Sequence, residues 1–419
     1  MLRRFRVQGF KSLDDVALDV PKLLVLFGPN AAGKSNFLEA LQCLSRLVTE
    51  RTIKDALTAP IRGYPLEAFR IPRGGIRDLM SSQKASFSFE ADVLPQQRPQ
   101  STTRARELRY KVEVSADPKT GAFSVTDEFL ATFQRTKDEL YGKPVIEREG
   151  DRFVVRPRGG SGRPVQEDVG QNHTTASVPA FAGGRYTHME LLRAELGAWR
   201  TYYLDPRVAM RDAKPPSEVT DIGPLGETIS PYLYRLKMEH PKPFHGVQRA
   251  LQTLIPSVEG IDVALNQERG ELEIRVVQNG VQYPTRIISE GTLRVLALCS
   301  LCVNPWRPAL VAFEEPENGV HPRRLDLIAE MLVSLATEGD TQVVVTTHSP
   351  RFCDAVWRRR EVREEIALVA VRREGAKTVL ERFDPAGPLF RDVEVTKALT
   401  SPDEDGVFEA LILRGLVDE

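Results

Sequence analysis

The sequence is poor in several features that would mark whole classes of protein. Only four of its 419 residues are cysteine, too few for the disulfide framework that stabilises small secreted domains. Its apolar runs, such as Val295 to Leu298, are far shorter than the roughly 20 residues that a helix needs to cross a bilayer. The basic N-terminal segment contains no apolar stretch of the signal-peptide type. We therefore expect a cytoplasmic protein without a membrane span.

A large excess of charge of one sign is also missing. The formal net charge is -1, with 27% charged and 41% hydrophobic residues. This balance argues against a protein whose whole surface is built for nucleic acid, although a local basic face stays open. The composition is that of an ordinary globular protein, and the length allows a large core and two or three domains.

Two of the cysteines have the C-x-x-C spacing of some zinc and redox sites. Cys299 and Cys302 lie inside an apolar helical pattern, and no second Cys or His pair lies near them in the sequence. We therefore interpret them as small core residues of a helix.

A glycine-bearing loop stands near the start of the chain, between a predicted apolar strand and a predicted amphipathic helix. It satisfies the G-x-x-x-x-G-K-[ST] pattern in the context that supports a phosphate-binding loop. In such a loop backbone N–H groups point at phosphate oxygens, Lys34 reaches the β- and γ-phosphates, and the Ser35 hydroxyl ligates Mg²⁺. The predicted ATP phosphate-binding residues are Gly28, Pro29, Asn30, Ala31, Ala32, Gly33, Lys34, Ser35 and Asn36.

Two adjacent acids follow a short apolar run in the second half of the chain. The run from Ala309 to Phe313 is too short for a buried helix and predicts a buried strand, after which come Glu314, Glu315 and Pro316. Acids at the carboxyl end of such a strand lie where α/β folds place ligands. One can complete a Mg²⁺ shell while the other polarises a water. The alternative, two solvated acids in a turn, is common for a lone Glu-Glu pair.

A histidine and a serine-glycine turn mark two further positions. His348 follows the predicted strand from Gln342 to Thr346, and at that position an imidazole can hydrogen-bond a γ-phosphate or the attacking water. A purely structural histidine is the alternative. The segment Ser289-Glu290-Gly291-Thr292 opens a predicted helix, and such an N-terminus can bind an anion. An ordinary N-capped helix is the alternative here.

Patterns elsewhere in the sequence predict secondary structure but indicate no functional residues. Arg73 to Leu79 indicates a turn, Met189 to Trp199 a helix, and residues 156–184 a long loop. For residues 95–107, which are polar and basic, an exposed mobile loop is preferred to a nucleic-acid arm. A final short helix is expected near the C-terminus. Strands are predicted at Arg3–Val7, Val16–Val20, Lys22–Phe27, Ala85–Val93, Leu108–Val114, Ala122–Thr126, Leu272–Val277, Ile366–Val371 and Lys377–Phe383.

The order of these motifs resembles the ABC-type ATPase heads of the SMC, RecF and OLD-like group. More closely, it is similar to the bacterial AAA family ATPases that carry an OLD-like ATPase domain. The resemblance implies an α/β fold: an ABC-type P-loop ATPase head, with a mixed sheet, helices and an antiparallel β subdomain, and an inserted α/β region. The motifs that carry it are Gly9–Leu13, Gly28–Asn36, Ser289–Arg294, Glu314–Pro322 and Thr346–Pro350.

The resemblance also implies roles for single residues. Ser289, Glu290, Gly291 and Thr292 match the ABC signature, which in this family contacts the γ-phosphate bound to the other subunit. Glu315 matches the catalytic glutamate, His348 the switch histidine, and Asn318–His321 the loop between subunits. The metal-associated acid is Glu314 where Asp is usual, but Glu-Glu-Pro-Glu is normal for the OLD-like branch. Gln83 is the candidate for the Q-loop glutamine.

One phosphate loop and one signature per chain imply a head-to-tail homodimer, or a higher oligomer, that binds ATP and Mg²⁺ at two composite sites. We expect an N-terminal ATPase lobe at 1–95, an insertion at 96–243, a C-terminal ATPase lobe at 244–363, and completing strands with a helix at 364–419. The seventy or so residues after His348 are too few for an OLD-type nuclease domain. A separate effector or nuclease protein is therefore the expected partner. The family resemblance further implies a role in anti-phage defence.

Two other functions stay open at this point. A RecF- or SMC-like protein of DNA repair or maintenance would bind nucleic acid in an ATP-dependent and salt-sensitive manner. The short distance between the phosphate loop and the signature, and the absence of heptads, argue against a long coiled-coil arm. A transporter ATPase fits less well, because such subunits are usually shorter and have a different signature.

Overall fold

The chain folds into two compact units in the computed structural model, which describes residues 1–58, 61–96, 107–134, 139–157, 162–359 and 365–383. The first unit contains Met1–Trp199 and Val369–Phe383, and the second contains Arg200–Leu368. The four domain ranges expected from the sequence stay predictions. The expected C-terminal helix, and residues 97–106 of the polar stretch, lie outside the described residues.

A nine-stranded antiparallel sheet is the largest element of the first unit. Its order is β10-β9-β8-β6-β5-β4-β1-β2, with β7 paired to β6. Alternating residues of β5, such as Tyr110, Val112 and Val114, are fully buried, which explains why a period-two pattern predicted this strand. β7, β8 and β9 were not predicted. Up to the second unit, the strands are β1 (Leu2–Phe10), β2 (Leu13–Asp19), β3 (Leu23–Phe27), β4 (Ala85–Val93), β5 (Glu107–Asp117), β6 (Ala122–Gln134), β7 (Glu139–Leu140), β8 (Ile146–Glu149), β9 (Arg152–Val155) and β10 (Val165–Asp168).

The helices of the first unit include the one that follows the phosphate loop. The predicted apolar stripe of this helix, from Phe37 to Leu47, is buried, as expected for an amphipathic helix. Every residue of β3 is buried as well. The helices are α1 (Lys34–Thr49), α2 (Ile53–Ala56), α3 (Ile76–Ser81) and α4 (Thr187–Gly197).

Helices and two groups of strands make up the second unit. β15 and β16 pair in parallel, with Glu314 opposite Thr346 at their carboxyl ends, and β11 lies beside β15. β12, β13 and β14 form an antiparallel sheet. Its second turn uses Asn279 and Gly280, both with positive φ, as is typical of a two-residue hairpin. The elements are β11 (Trp199–Tyr202), α5 (Ile229–Glu239), α6 (Pro241–Leu254), β12 (Val258–Asn266), β13 (Glu271–Gln278), β14 (Val281–Pro284), α7 (Glu290–Cys302), β15 (Leu310–Glu314), α8 (Leu325–Thr337), β16 (Gln342–Thr347) and α9 (Pro350–Trp357).

The chain returns to the first unit through an antiparallel hairpin formed by β17 (Ile366–Glu374) and β18 (Lys377–Arg382). In the first unit β17 lies between β3 and β18. Both strands were predicted, because their apolar residues alternate with polar ones or form a short run. This hairpin therefore brings the end of the described chain to the strand that precedes the phosphate loop.

Three sequence predictions need correction. The predicted turn from Arg73 to Leu79 is a turn only as far as Gly75, after which α3 begins and buries Leu79. The predicted loop at 156–184 contains β10, a polar strand whose only signal is its backbone pairing with β9. The helix expected to reach Trp199 ends at Gly197, and Trp199 begins β11 instead.

The cysteines and the helices bear on two further expectations. All four cysteines are free thiols; Cys299 is buried, and burial raises the pKa of Cys302 to about 12. Such thiols stay protonated near neutral pH, in keeping with residues of a helix core. None of the helices in the described part of the chain combines the length and apolar composition that crossing a bilayer requires.

Candidate nucleotide-binding and hydrolysis site

The phosphate loop has a backbone shape that only small residues allow. It connects β3 to α1, with Gly33 at the N-cap of the helix. Gly28 and Gly33 have φ angles of 149° and 105°, which L side chains rarely adopt. A Cβ at Gly28 would lie 2.2 Å from Val371 O, and one at Gly33 would lie 2.1 Å from Thr378 Oγ1. The two glycines of the motif are therefore required by conformation and by packing.

Residues far away in the sequence form hydrogen bonds that hold this loop. Thr378 on β18 donates a hydrogen bond from Oγ1 to Ala32 O at 2.8 Å. Ser12, in the turn between β1 and β2, has its Oγ 2.6 Å from Thr378 Oγ1 and accepts a bond from Asn36 Nδ2 at 2.7 Å. The Ser12 and Thr378 contacts were not predicted: Ser12 lies in a recognised motif without an assigned role, and Thr378 has no local signal.

The charged group of the loop is Lys34. Its side chain is largely buried, and Nζ donates to Gly28 O at 2.7 Å and to Pro29 O at 2.8 Å. The ammonium group therefore lies against the loop at the N-terminal end of α1, where backbone N–H groups attract anions. A cation, a wrapped backbone and a helix start together fit a bound phosphate chain.

Mg²⁺ needs few protein ligands at such a site, because it keeps several waters and binds phosphate oxygens. Ser35 is half-buried in the first turn of α1, and its hydroxyl is a ligand of the required kind. Among the described residues, no group of three or more His, Cys, Asp or Glu side chains is arranged to hold a metal. The Ser35 hydroxyl thus fits a magnesium ion that is held mainly by a nucleotide.

The paired acids lie at the carboxyl end of β15, beside the carboxyl end of the parallel strand β16. Glu314 is the last residue of β15, and Glu315 N donates to Thr346 O at 3.0 Å. Glu315 has a φ of 48°, a left-handed conformation that costs free energy for a residue with a Cβ. Strained backbone of this kind is concentrated at functional sites.

Both oxygens of the Glu315 carboxylate have partners. His348 Nδ1 lies 3.2 Å from Oε1, and Asn318 Nδ2 donates to Oε2 at 2.6 Å. Glu315 is partly buried whereas His348 is about half exposed. The structure thus brings the predicted base and the predicted switch histidine within hydrogen-bonding distance. The contact of Asn318 with Glu315 was not predicted, because the family resemblance assigned Asn318 only to the loop between subunits.

The predicted signature begins α7. Ser289 is the N-cap, and its Oγ accepts a hydrogen bond from Thr292 N at 3.2 Å. Glu290 forms an exposed ion pair with Arg207 at 2.9 Å. Gly291 packs backbone to backbone against the loop after β15, since a Cβ there would lie 2.1 Å from Gly319 O. The signature turn and the Asn318–His321 loop are therefore neighbours within the second unit.

An arginine that sequence reasoning missed holds the segment before the signature. Arg211 Nη1 donates to Thr285 O at 3.2 Å and also to Arg286 O, and Nη2 donates to Ile288 O at 2.8 Å. A single guanidinium thus binds three carbonyls immediately before Ser289. Arg211 lies in a stretch without any motif, so no local pattern could have found it.

Gln83, the candidate Q-loop residue, is exposed in the turn between α3 and β4. Its role stays a prediction, as do the catalytic, metal-binding and signature roles of the other residues. Each of them nevertheless stands at the end of a strand or the start of a helix, which are the positions where backbone groups and side chains converge on ligands.

Comparisons with known proteins show which family and which fold this chain is similar to. The family model described as "AAA domain, putative AbiEii toxin, Type IV TA system" matches residues 23–124 and 245–354, together half of the chain. The Nod factor export ATP-binding protein I of Ralstonia nicotianae is 29% identical over 143 residues, covering 31% of this chain and 43% of that protein. The chain therefore spans less than half the length of this curated relative.

Solved structures of SMC heads are similar in fold. An SMC head bound to the C-winged helix domain of ScpA aligns with a TM-score of 0.52 at 12% identity, covering 91% of this chain and 98% of that chain. An SMC head with an extended coiled coil, bound to the C-terminal domain of ScpA derived from Pyrococcus furiosus, aligns with a TM-score of 0.48 at 11% identity, covering 96% and 99%. The first likeness shows the mixed α/β fold of an SMC-head P-loop ATPase. The chain belongs to the AAA domain family of the putative AbiEii type, a family of P-loop ATPases, which implies ATP hydrolysis.

Proposed function

We propose that this protein is an ATP-hydrolysing switch that forms a head-to-tail homodimer when ATP is bound and controls a separate effector protein. The observation that carries the proposal is the 3.2 Å contact between His348 Nδ1 and Glu315 Oε1 at the carboxyl ends of β15 and β16. A carboxylate in contact with an imidazole, next to a second acid, is a suitable arrangement for activating a water molecule.

The residues divide the chemistry among them. Lys34 and the backbone of residues 28–33 bind and orient the phosphates, and Ser35 together with Glu314 would hold the magnesium ion that neutralises phosphate charge. Glu315 accepts a proton from the attacking water. His348 orients the Glu315 carboxylate and contacts the γ-phosphate.

The dimer follows from the signature. Ser289 and Gly291 lie at the N-terminus of α7, and such a terminus attracts anions. A chain with one phosphate loop and one signature completes two sites if each signature meets the γ-phosphate held by the other copy. ATP then stabilises the dimer by being neutralised from both sides, and hydrolysis removes that contact.

The catalytic assignment is tested by Glu315→Gln. The change removes the proton acceptor but keeps the shape of the side chain, so turnover should fall by about 10²–10⁴. Light scattering should show that the variant stays dimeric in ATP. Glu338→Gln is the matched control, because Glu338 is an exposed acid at the end of α8. Equal turnover of wild type and Glu315→Gln would refute the assignment.

The head-to-tail arrangement is tested by mixing two inactive variants, Lys34→Ala and Ser289→Ala. In a mixed dimer one site carries both defects, whereas the other has an intact phosphate loop and an intact signature. If half of the dimers are mixed, about a quarter of the wild-type rate should return. Sites completed within a single chain would recover no activity on mixing, which would rule out the arrangement.

The effector and the role in anti-phage defence rest on coarser support. The family description names a putative toxin system, and the similar SMC head carries a bound domain of another protein, ScpA. A cytoplasmic location belongs to the same proposal. ATPase activity should be measured with and without the product of the neighbouring gene. If the two proteins do not bind each other and neither changes the activity of the other, this part of the proposal fails.

A further inference from the structure

A third acid, Glu317, lies buried beside the candidate catalytic pair. Only 6% of the residue is exposed, and its Oε1 accepts a hydrogen bond from Thr347 Oγ1. Its Oε2 has no hydrogen-bond partner among the described residues, and burial raises the pKa of the carboxyl. Burying a carboxyl group with one unpaired oxygen is costly, so its single strong contact needs an explanation.

That contact leads directly to His348. Thr347 is fully buried, and its Oγ1 also accepts a hydrogen bond from Ser349 N at 2.9 Å. Ser349 is in turn the N-cap of α9, where its Oγ accepts from Phe352 N at 3.3 Å. The residues on both sides of His348 are thus held by one hydrogen-bonded chain that ends on the Glu317 carboxyl.

Glu317 belongs to the same turn as the candidate base. Asn318 N donates to Glu315 O at 3.1 Å, and Val320 N donates to Glu317 O at 3.0 Å. One turn after β15 therefore supplies Glu315, which contacts the His348 ring, and Glu317, which holds the backbone that carries this ring. The two strand ends are connected twice, once through an exposed contact and once through a buried one.

We propose that Glu317 is a positioning residue for hydrolysis: through Thr347 it holds the turn that carries His348, and so keeps His348 in contact with Glu315. The inference rests on the proposed function, because it requires Glu315 and His348 to act in hydrolysis. Glu317 itself touches neither the Glu315 carboxylate nor the His348 ring through any hydrogen bond in the described residues, so its effect is indirect.

The test is steady-state ATP hydrolysis by variants of the two buried residues. Thr347→Val and Glu317→Leu remove the hydrogen bonds and should lower kcat about tenfold, the scale of a lost buried hydrogen bond. KM for ATP should change less than about twofold, because the phosphate loop is untouched. Thr347→Ser keeps the hydroxyl and should retain activity close to wild type. If Thr347→Val does not fold, Thr347→Ala takes its place.

Thr341→Val is the matched control. Thr341 is also buried and precedes the other end of β16, where its Oγ1 donates to Pro308 O at 3.0 Å. The same substitution there removes a buried hydrogen bond of similar kind but lies away from His348. It should lower stability in urea by about as much as Thr347→Val does, and leave kcat unchanged.

A double-mutant cycle with His348→Ala separates positioning from a general structural effect. If Thr347 acts through His348, Thr347→Val should lower kcat less than about twofold once the ring is gone. A tenfold loss in both backgrounds, or no loss in the wild-type background, overturns the inference. If Glu315→Gln and His348→Ala themselves leave turnover unchanged, the proposed function fails and the inference fails with it.

Discussion

Replacing Gly291 by Ala tests the packing of the signature turn against the loop that holds the candidate base. Gly291 lies in the first turn of α7, where Ala would ordinarily stabilise the helix by about 0.4–1 kcal/mol. The added Cβ, however, would lie 2.1 Å from Gly319 O and 3.0 Å from Gly319 C. Carbon and oxygen atoms pack at roughly 3.5 Å, so the 2.1 Å contact requires one backbone to move by about 1.4 Å.

Such overpacking costs roughly 1–3 kcal/mol, which outweighs the helix preference of Ala. Gly246 provides a matched control on α6, since a Cβ there would meet only Val303 Cγ1 at 3.5 Å, an ordinary contact. Gly246→Ala should therefore raise the free energy of unfolding by up to about 1 kcal/mol. Because both variants gain the same helix preference, their free energies of unfolding should differ by about the overpacking cost, roughly 1–3 kcal/mol. Gly291→Ala should lie below the wild type and Gly246→Ala above it.

Hydrolysis should respond as well, because Gly319 follows Asn318, which donates to Glu315 Oε2 at 2.6 Å. A displacement of about 1 Å at a catalytic group can cost roughly 10²-fold in rate. Urea unfolding and steady-state ATP turnover are the measurements. If Gly291→Ala is as stable as Gly246→Ala, or hydrolyses ATP as fast as wild type, the close approach of the two backbones is not a constraint and the reasoning fails.

Three further predictions concern groups away from the catalytic pair. Lysine cannot bind three carbonyls with one planar group. Arg211→Lys should therefore lower the free energy of unfolding in urea by roughly 1–3 kcal/mol and slow ATP hydrolysis. An unchanged free energy of unfolding together with an unchanged rate would contradict this. Glu39 is fully buried and paired with Lys11 and Arg62. Glu39→Ala should therefore lower the free energy of unfolding by about 3 kcal/mol, whereas Arg62→Ala, at an exposed side chain, should lower it by less than about 1 kcal/mol. Equal losses in the two variants would refute this difference. Burial raises the pKa of Glu128 above its ordinary 4.5, so the folded state binds this proton more tightly than the unfolded state. The free energy of unfolding of wild type, relative to that of Glu128→Gln, should therefore fall as pH rises above about 4.5. An increase of this difference with pH would refute the prediction.

Secondary structure was predictable where burial follows a simple period. β4 and β5 alternate buried and less buried residues along their length, so both were predicted, β4 with its observed bounds. β10 has the sequence Val-Gln-Glu-Asp and only half-buried or exposed residues, so nothing in its side chains distinguishes it from a loop. It is a strand because β9 supplies backbone partners, which is a property of the sheet and not of the segment.

The sequence by itself determined the phosphate loop, the paired acids and the turn Ser289–Thr292 that begins α7. Each is a motif of at most nine residues, in which backbone conformation, charge and helix capping are local requirements. Tertiary structure alone decided what holds these motifs in place: the bond between Ser12 and Thr378, the three carbonyls bound by Arg211, and the partners of Glu315 and Glu317. Those contacts join strand ends and turns that only folding brings together, and no spacing rule within a single segment records them.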